Sequence, residues 1–189
     1  MKKLITSLFV AACVLPFTQS CTTGTTTGND SNSTATDTAA TATDSVATVD
    51  TSNLPITLDE LIEPFGDAFR LKEGISEELT SKGYKAGKGE DIKSTYISAD
   101  QTPVSCEKVP YTKDDVTVDI ITSTDEDYSG GEYVEVTLPN ETDVETFIAD
   151  AKSKGFKQES TDYYVAGQKG SVALGLKVSG KTISIYTAG

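Results

Sequence analysis

Residues 54–189 predict an α+β domain, an antiparallel sheet or sheets packed by two or three helices. Two observations predict it. Residues 141–154 carry apolar side chains at helical spacing, whereas 132–138 and 171–187 alternate apolar and polar side chains. The strand-like runs also follow one another across short turns, which suits a meander better than alternating strands and helices. The 136 residues from 54 to 189 are enough for one domain with its own core.

The elements are predicted in order as follows. Leu58, Leu61, Ile62 and Phe65 recur at helical spacing after Thr57, a good N-cap, so a short helix is expected over 58–65, ending near Pro64 and Gly66. A second helix is expected from Ile75 to Lys82, ending at Gly83. Strands are expected at 93–99, 104–109, 116–122 and 132–138. In the last, Val134, Val136 and Leu138 share one side and Tyr133, Glu135 and Thr137 the other. The clearest helix is 141–154. Asn140 caps it, acids occupy its first turns, Lys152 and Lys154 lie near its end, and Val144, Phe147, Ile148 and Ala151 form its apolar stripe. Strands at 162–166, 171–178 and 181–187 follow. Gly167–Gly170 joins the first pair and Ser179-Gly180 the second.

Ser81-Lys-Gly-Tyr-Lys85 and Ser153-Lys-Gly-Phe-Lys157 both close a helix with a glycine and place an aromatic just beyond it. Two helix-plus-strands units, 58–138 and 139–189, satisfy this pattern, as does one sheet layered by helices. The order resembles the paired α/β units of secreted β-lactamase inhibitory proteins. That resemblance rests on little of the chain and implies a fold, not an inhibitory activity.

Ahead of the domain, Lys2 and Lys3 precede an apolar run from Leu4 to Phe17, a secretion signal by composition and position. The run is shorter than a membrane-spanning helix and is broken by Pro16. Residues 17–21, FTQSC, resemble the end of a bacterial lipoprotein signal of the looser Bacteroidetes kind. The resemblance implies cleavage after Ser20, acylation of Cys21, and a cell-envelope location at the outer membrane. Thr18, Gln19 and Ser20 depart from the usual residues at those positions. Val10-Ala11-Ala12-Cys13 matches the general motif better, but has too short an apolar core before it and would leave an apolar new terminus.

Residues 22–53 contain 12 Thr, four Ser and four Asp, with no aromatic, Lys or Arg. Such a stretch has too little apolar surface to offset backbone ordering, so residues 21–53 read as the acylated cysteine and a disordered tether. A flexible chain of this length spans on the order of 30 Å. Asp37-Thr38-Ala39 and Asp44-Ser45-Val46 resemble a Bacteroidetes O-glycosylation sequence, which makes Thr38 and Ser45 its candidate acceptors. Asn140-Glu141-Thr142 fits a eukaryotic N-glycosylation pattern and carries little weight in this context.

Cleavage removes Lys2 and Lys3 and leaves 14 basic against 29 acidic side chains, a net charge near −15. That balance opposes nucleic-acid binding and docking on anionic lipid. With Cys21 acylated, Cys106 has no partner thiol and reads as a buried structural residue in a short edge strand between Pro103 and Pro110. The chain has no histidine, which excludes a His-based triad and the common zinc sites, and no phosphate-binding glycine motif follows any strand. No cofactor and no enzymatic activity are expected. A carboxylate-based hydrolase is the weakest reading, because abundant acids supply many chance pairs. Asp125, Asp127 and Ser129 match the early positions of a calcium loop, but position twelve is Val136, so a solvated hairpin loop is expected there.

Two functions fit. One is an anchored accessory or binding lipoprotein that meets an envelope protein, peptide or glycan through Tyr133, Tyr163, Tyr164 and Tyr186 on a strand face. The other is a structural or assembly component of an envelope complex that joins its neighbours through sheet edges.

Overall fold

The computed structural model describes residues 48–167 and 173–188. The signal segment, Cys21, Thr38, Ser45 and most of the Gly167–Gly170 turn lie outside the described residues.

Among the described residues nine strands form one antiparallel sheet, and two α-helices lie on one of its faces. The elements are β1 (Ile62–Phe65), β2 (Ala68–Leu71), α1 (Ile75–Ser81), β3 (Lys85–Ala86), β4 (Glu90–Ser94), β5 (Val104–Lys113), β6 (Val116–Ser123), β7 (Glu132–Thr137), α2 (Glu141–Ser153), β8 (Lys157–Ser160), β9 (Tyr163–Ala166), β10 (Ala173–Ser179) and β11 (Thr182–Ala188). The sheet runs β3-β5-β6-β7-β11-β10-β9-β8, with β4 also on β5, and β1-β2 is a separate hairpin. The domain is thus mostly β, with two helices against a large antiparallel sheet.

The expected helix over 58–65 is not formed. A 3-10 turn, Leu58–Glu60, runs into β1, in which Pro64 stands opposite Phe69. Leu58, Leu61 and Ile62 are still buried together. A tight turn followed by extended chain meets the same spacing, and proline at 64 favours the extended form for the residue before it.

Both expected helix endings are built alike. Gly83 (φ 88) and Gly155 (φ 95) take the left-handed conformation. The Tyr84 N–H donates to Leu79 O (3.0 Å) and the Phe156 N–H to Ala151 O (3.1 Å), and both aromatics are buried beneath their helices. Asn140 caps α2 by accepting from the Asp143 N–H at 2.9 Å. After α1 come the interrupted β3/β4, then β5, β6 and β7; after α2 come β8 to β11. The two meanders meet where β7 pairs with β11.

Cys106 does not lie in an edge strand. β5 continues through Pro110 and is flanked by β6 on one side and β3/β4 on the other. Pro110 is tolerated there because it faces the break at Gly87–Gly89. The Gly87 N–H donates to Pro110 O (2.7 Å). The strand expected at 93–99 lies earlier, as β4, and Thr95–Pro103 is a loop. The last hairpin turns at Gly180-Lys181, since Ser179 pairs with Thr182. β8 escapes prediction because all four of its side chains are exposed and leave no alternation to read.

The sheet carries two cores. On the helix face, Val118, Val134, Val136, Leu174, Leu176, Ile183 and Ile185 pack under Phe147, Ile148, Leu79 and Ile75. On the opposite face Val104, Cys106, Ile121 and Tyr133 form a smaller cluster, covered by Tyr96, Ile97, Tyr128 and Tyr186. The 95–103 loop supplies that cover. The Thr102 N–H donates to Ser98 Oγ and to Asp100 Oδ1, both at 3.1 Å, and ties the loop to itself.

Candidate functional site

A cleft of about 1080 Å³ lies where this loop meets the ends of the central strands. Arg70–Ser76 line one side and Thr95–Ala99 with Gln101 the other. Ile120, Gly130–Glu132, Tyr163, Lys177, Tyr186 and Thr187 complete the lining.

Tyrosines dominate the face opposite the helices. Tyr96 lies 4.6 Å from Tyr186 and 5.1 Å from Tyr133, ring centre to ring centre, and Tyr163 lies 6.2 Å from Tyr186. Register explains the grouping. Tyr186 on β11 stands opposite Tyr133 on β7 and Gly175 on β10, and Tyr163 on β9 stands opposite Lys177. Gly175 makes the room. A Cβ there would lie 2.9 Å from Tyr163 Cε2, 3.0 Å from its hydroxyl and 3.2 Å from Tyr186 Cζ. Gly131 serves the loop in the same way, since a Cβ would meet Ile97 Cγ2 at 2.4 Å.

Burial governs the electrostatics here. It pushes the Tyr133 phenol up to about 12. Burial first, and then the neighbouring Tyr163, push the Tyr186 phenol higher than an ordinary tyrosine. Burial alone raises the Glu132 carboxyl. Two of the wall cations are already paired. Arg70 sits 2.6 Å from Glu63 and 3.0 Å from Glu73, and Lys72 lies 3.3 Å from Glu78. Lys177 is exposed, with its Nζ 5.9 Å from the centre of the Tyr96 ring.

Comparisons with family models, curated proteins and solved structures find no match.

Of the four tyrosines singled out in the sequence, the structure brings Tyr163 and Tyr186 together, each partly exposed in the cleft. Tyr133 is on the same face but buried, at 3 % exposure, beneath Tyr96. Tyr164 is on the other face. Its neighbour Tyr163 takes the cleft side, so the alternation of the strand turns Tyr164 toward α2, where Lys152 Nζ lies 5.3 Å from its ring centre. Tyr96 and Glu132 were missed, Tyr96 because 93–99 reads as a strand whereas residue 96 lies in the loop after β4. Gly175, between Leu174 and Leu176 within a strand, was the available signal for a close approach.

Asp125 caps a 3-10 turn, Glu126–Tyr128, by accepting from the Asp127 N–H at 3.1 Å, while Asp127 and Ser129 are exposed. Among the described residues no group of three or more His, Cys, Asp or Glu side chains is placed to hold a metal ion. Cys106 is a buried thiol that donates to Val104 O at 3.5 Å, and burial raises its pKa.

Proposed function

We propose that this is a membrane-anchored accessory or binding lipoprotein of the bacterial cell envelope, without catalytic activity, held through acylated Cys21 and reaching outward on the 22–53 tether. The observation that carries the binding role is the cleft with partly exposed Tyr96, Tyr163 and Tyr186, the last two against Gly175. Aromatic side chains that combine apolar area with a polar tip suit recognition at low conformational cost. The sheet edges favour this reading over assembly by strand addition. β8 has four residues, carries Lys157 and Glu159, and has an irregular register between Gln158 and Ser160; the opposite edge is broken between β3 and β4. Segments 58–138 and 139–189, each a helix feeding a four-strand meander, are proposed as two copies of one unit.

The anchor is tested by labelling cells with a lipid precursor. Wild type incorporates label and Cys21→Ala does not; continued incorporation would move the anchor to another residue. The binding role is tested by crosslinking the intact lipoprotein in its native envelope. A discrete adduct lost when Tyr163 and Tyr186 are replaced supports it, and adducts indifferent to both replacements contradict it.

A further inference from the structure

The chemistry of the cleft narrows its ligand. Resting on the reading above that the cleft is where the anchored domain binds, we propose that its ligand is a neutral oligosaccharide of two or more sugar residues. Sugars are amphipathic, with C–H faces that pack on aromatic rings and hydroxyls at the rim that need hydrogen-bond partners. The cleft offers both. Tyr96, Tyr186 and Tyr163 form a contiguous aromatic strip with ring-to-ring steps of 4.6 and 6.2 Å. Each step is on the scale of one sugar residue along a chain. Glycine at 175 keeps the strip in place, because any side chain there collides with two of its rings. Around it, Thr95, Gln101 and Thr187 supply hydroxyl and amide groups.

Charge selects against the alternatives. An anionic ligand would meet one exposed wall cation, Lys177, because Arg70 and Lys72 already pair with Glu63, Glu73 and Glu78. It would also meet Glu132 and a mature chain of net charge near −15. A cationic ligand would be repelled by the exposed Lys177 ammonium, which stands in the cleft 5.9 Å from the Tyr96 ring centre. A purely apolar segment would strand the hydroxyl-rich rim and Glu132 without partners. An uncharged polyhydroxyl ligand satisfies all three constraints, with the Glu132 carboxylate accepting from sugar hydroxyls and the Lys177 ammonium donating to sugar oxygens.

The test is binding of the intact lipoprotein, in detergent, to immobilised neutral hexose and N-acetylhexosamine oligosaccharides, with sulfated oligosaccharides and single sugars beside them. Binding is expected on neutral oligosaccharides, weaker on single sugars and absent on sulfated ones. Tyr163→Ala is expected to weaken it about threefold to tenfold, the loss of one aromatic contact, and Tyr163→Phe to restore it. Gly175→Ala, which displaces the strip without removing a ring, is expected to weaken binding comparably while urea midpoints confirm a folded chain. A silent neutral panel, a preference for sulfated chains, or binding indifferent to Tyr163→Ala and Gly175→Ala overturns the proposal. If the panel is silent while envelope crosslinking still depends on Tyr163 and Tyr186, the sugar class fails and the binding role stands. If both are silent, both fail.

Discussion

Replacing Glu60 tests how the chain entering the domain is fastened to α1. Glu60 closes the first 3-10 turn, accepting from the Thr57 N–H and from Thr57 Oγ1 (3.0 Å), and it also accepts from the Lys82 ammonium at the end of α1. Lys82 in turn reaches Glu78 at 3.1 Å. Burial works to raise the Glu60 carboxyl, but the hydrogen bonds from Lys82 and Thr57 outweigh it and hold the pKa below the ordinary 4.5. A capping interaction contributes about 1 kcal/mol. The ion pair, with Lys82 about a third exposed, is screened to at most about 1 kcal/mol. Glu60→Ala therefore costs about 2 kcal/mol, and Glu60→Gln, which keeps an acceptor for Thr57, about half of that. Because the folded pKa is depressed, the charge contributes fully above the unfolded value and is lost as pH falls through the folded one. Urea midpoints should separate wild type from Glu60→Gln at about pH 7 and draw together once the pH falls below the lowered folded pKa of Glu60. A gap of the same size at low pH, or none at neutral pH, would refute the role given to this carboxylate.

Other predictions follow from the same contacts. Gly83→Ala and Gly155→Ala meet no atom within 4 Å, so each should cost only the left-handed backbone penalty, about 1–2 kcal/mol, and the two losses should match in denaturant titration. Phe147→Ala, at a side chain with 0 % exposure under the sheet, should cost about 3–5 kcal/mol, read as a lowered melting temperature. Cys106 should resist alkylation in the native chain and react once urea unfolds it, since burial both hides the thiol and raises its pKa.

Elements whose pattern is local were legible in the sequence. α2 has its cap, dipole charges and stripe within one segment, and Gly83 and Gly155 announce the helix endings by their chemistry. β6, β7 and β11 alternate because one side of each faces the helix core. What escaped was decided by partners distant in the chain. Leu58 to Phe65 has helical spacing, yet β1 forms because β2 pairs with it. β8 has no apolar side and exists through β9. Tyr164 and Tyr163 differ in role only because alternation sends adjacent side chains to opposite faces. The cleft itself needs the 95–103 loop folded over Tyr133, a contact no local signal in that loop encodes.

Site-specific photocrosslinking in living cells tests the binding role of the cleft most directly. A photoreactive amino acid at position 163, within the cleft, is compared with one at position 159, on the exposed edge strand β8. The account predicts a discrete adduct at 163 that Gly175→Ala diminishes, and little or none at 159. Equal adducts at both positions, or none at 163, would contradict it.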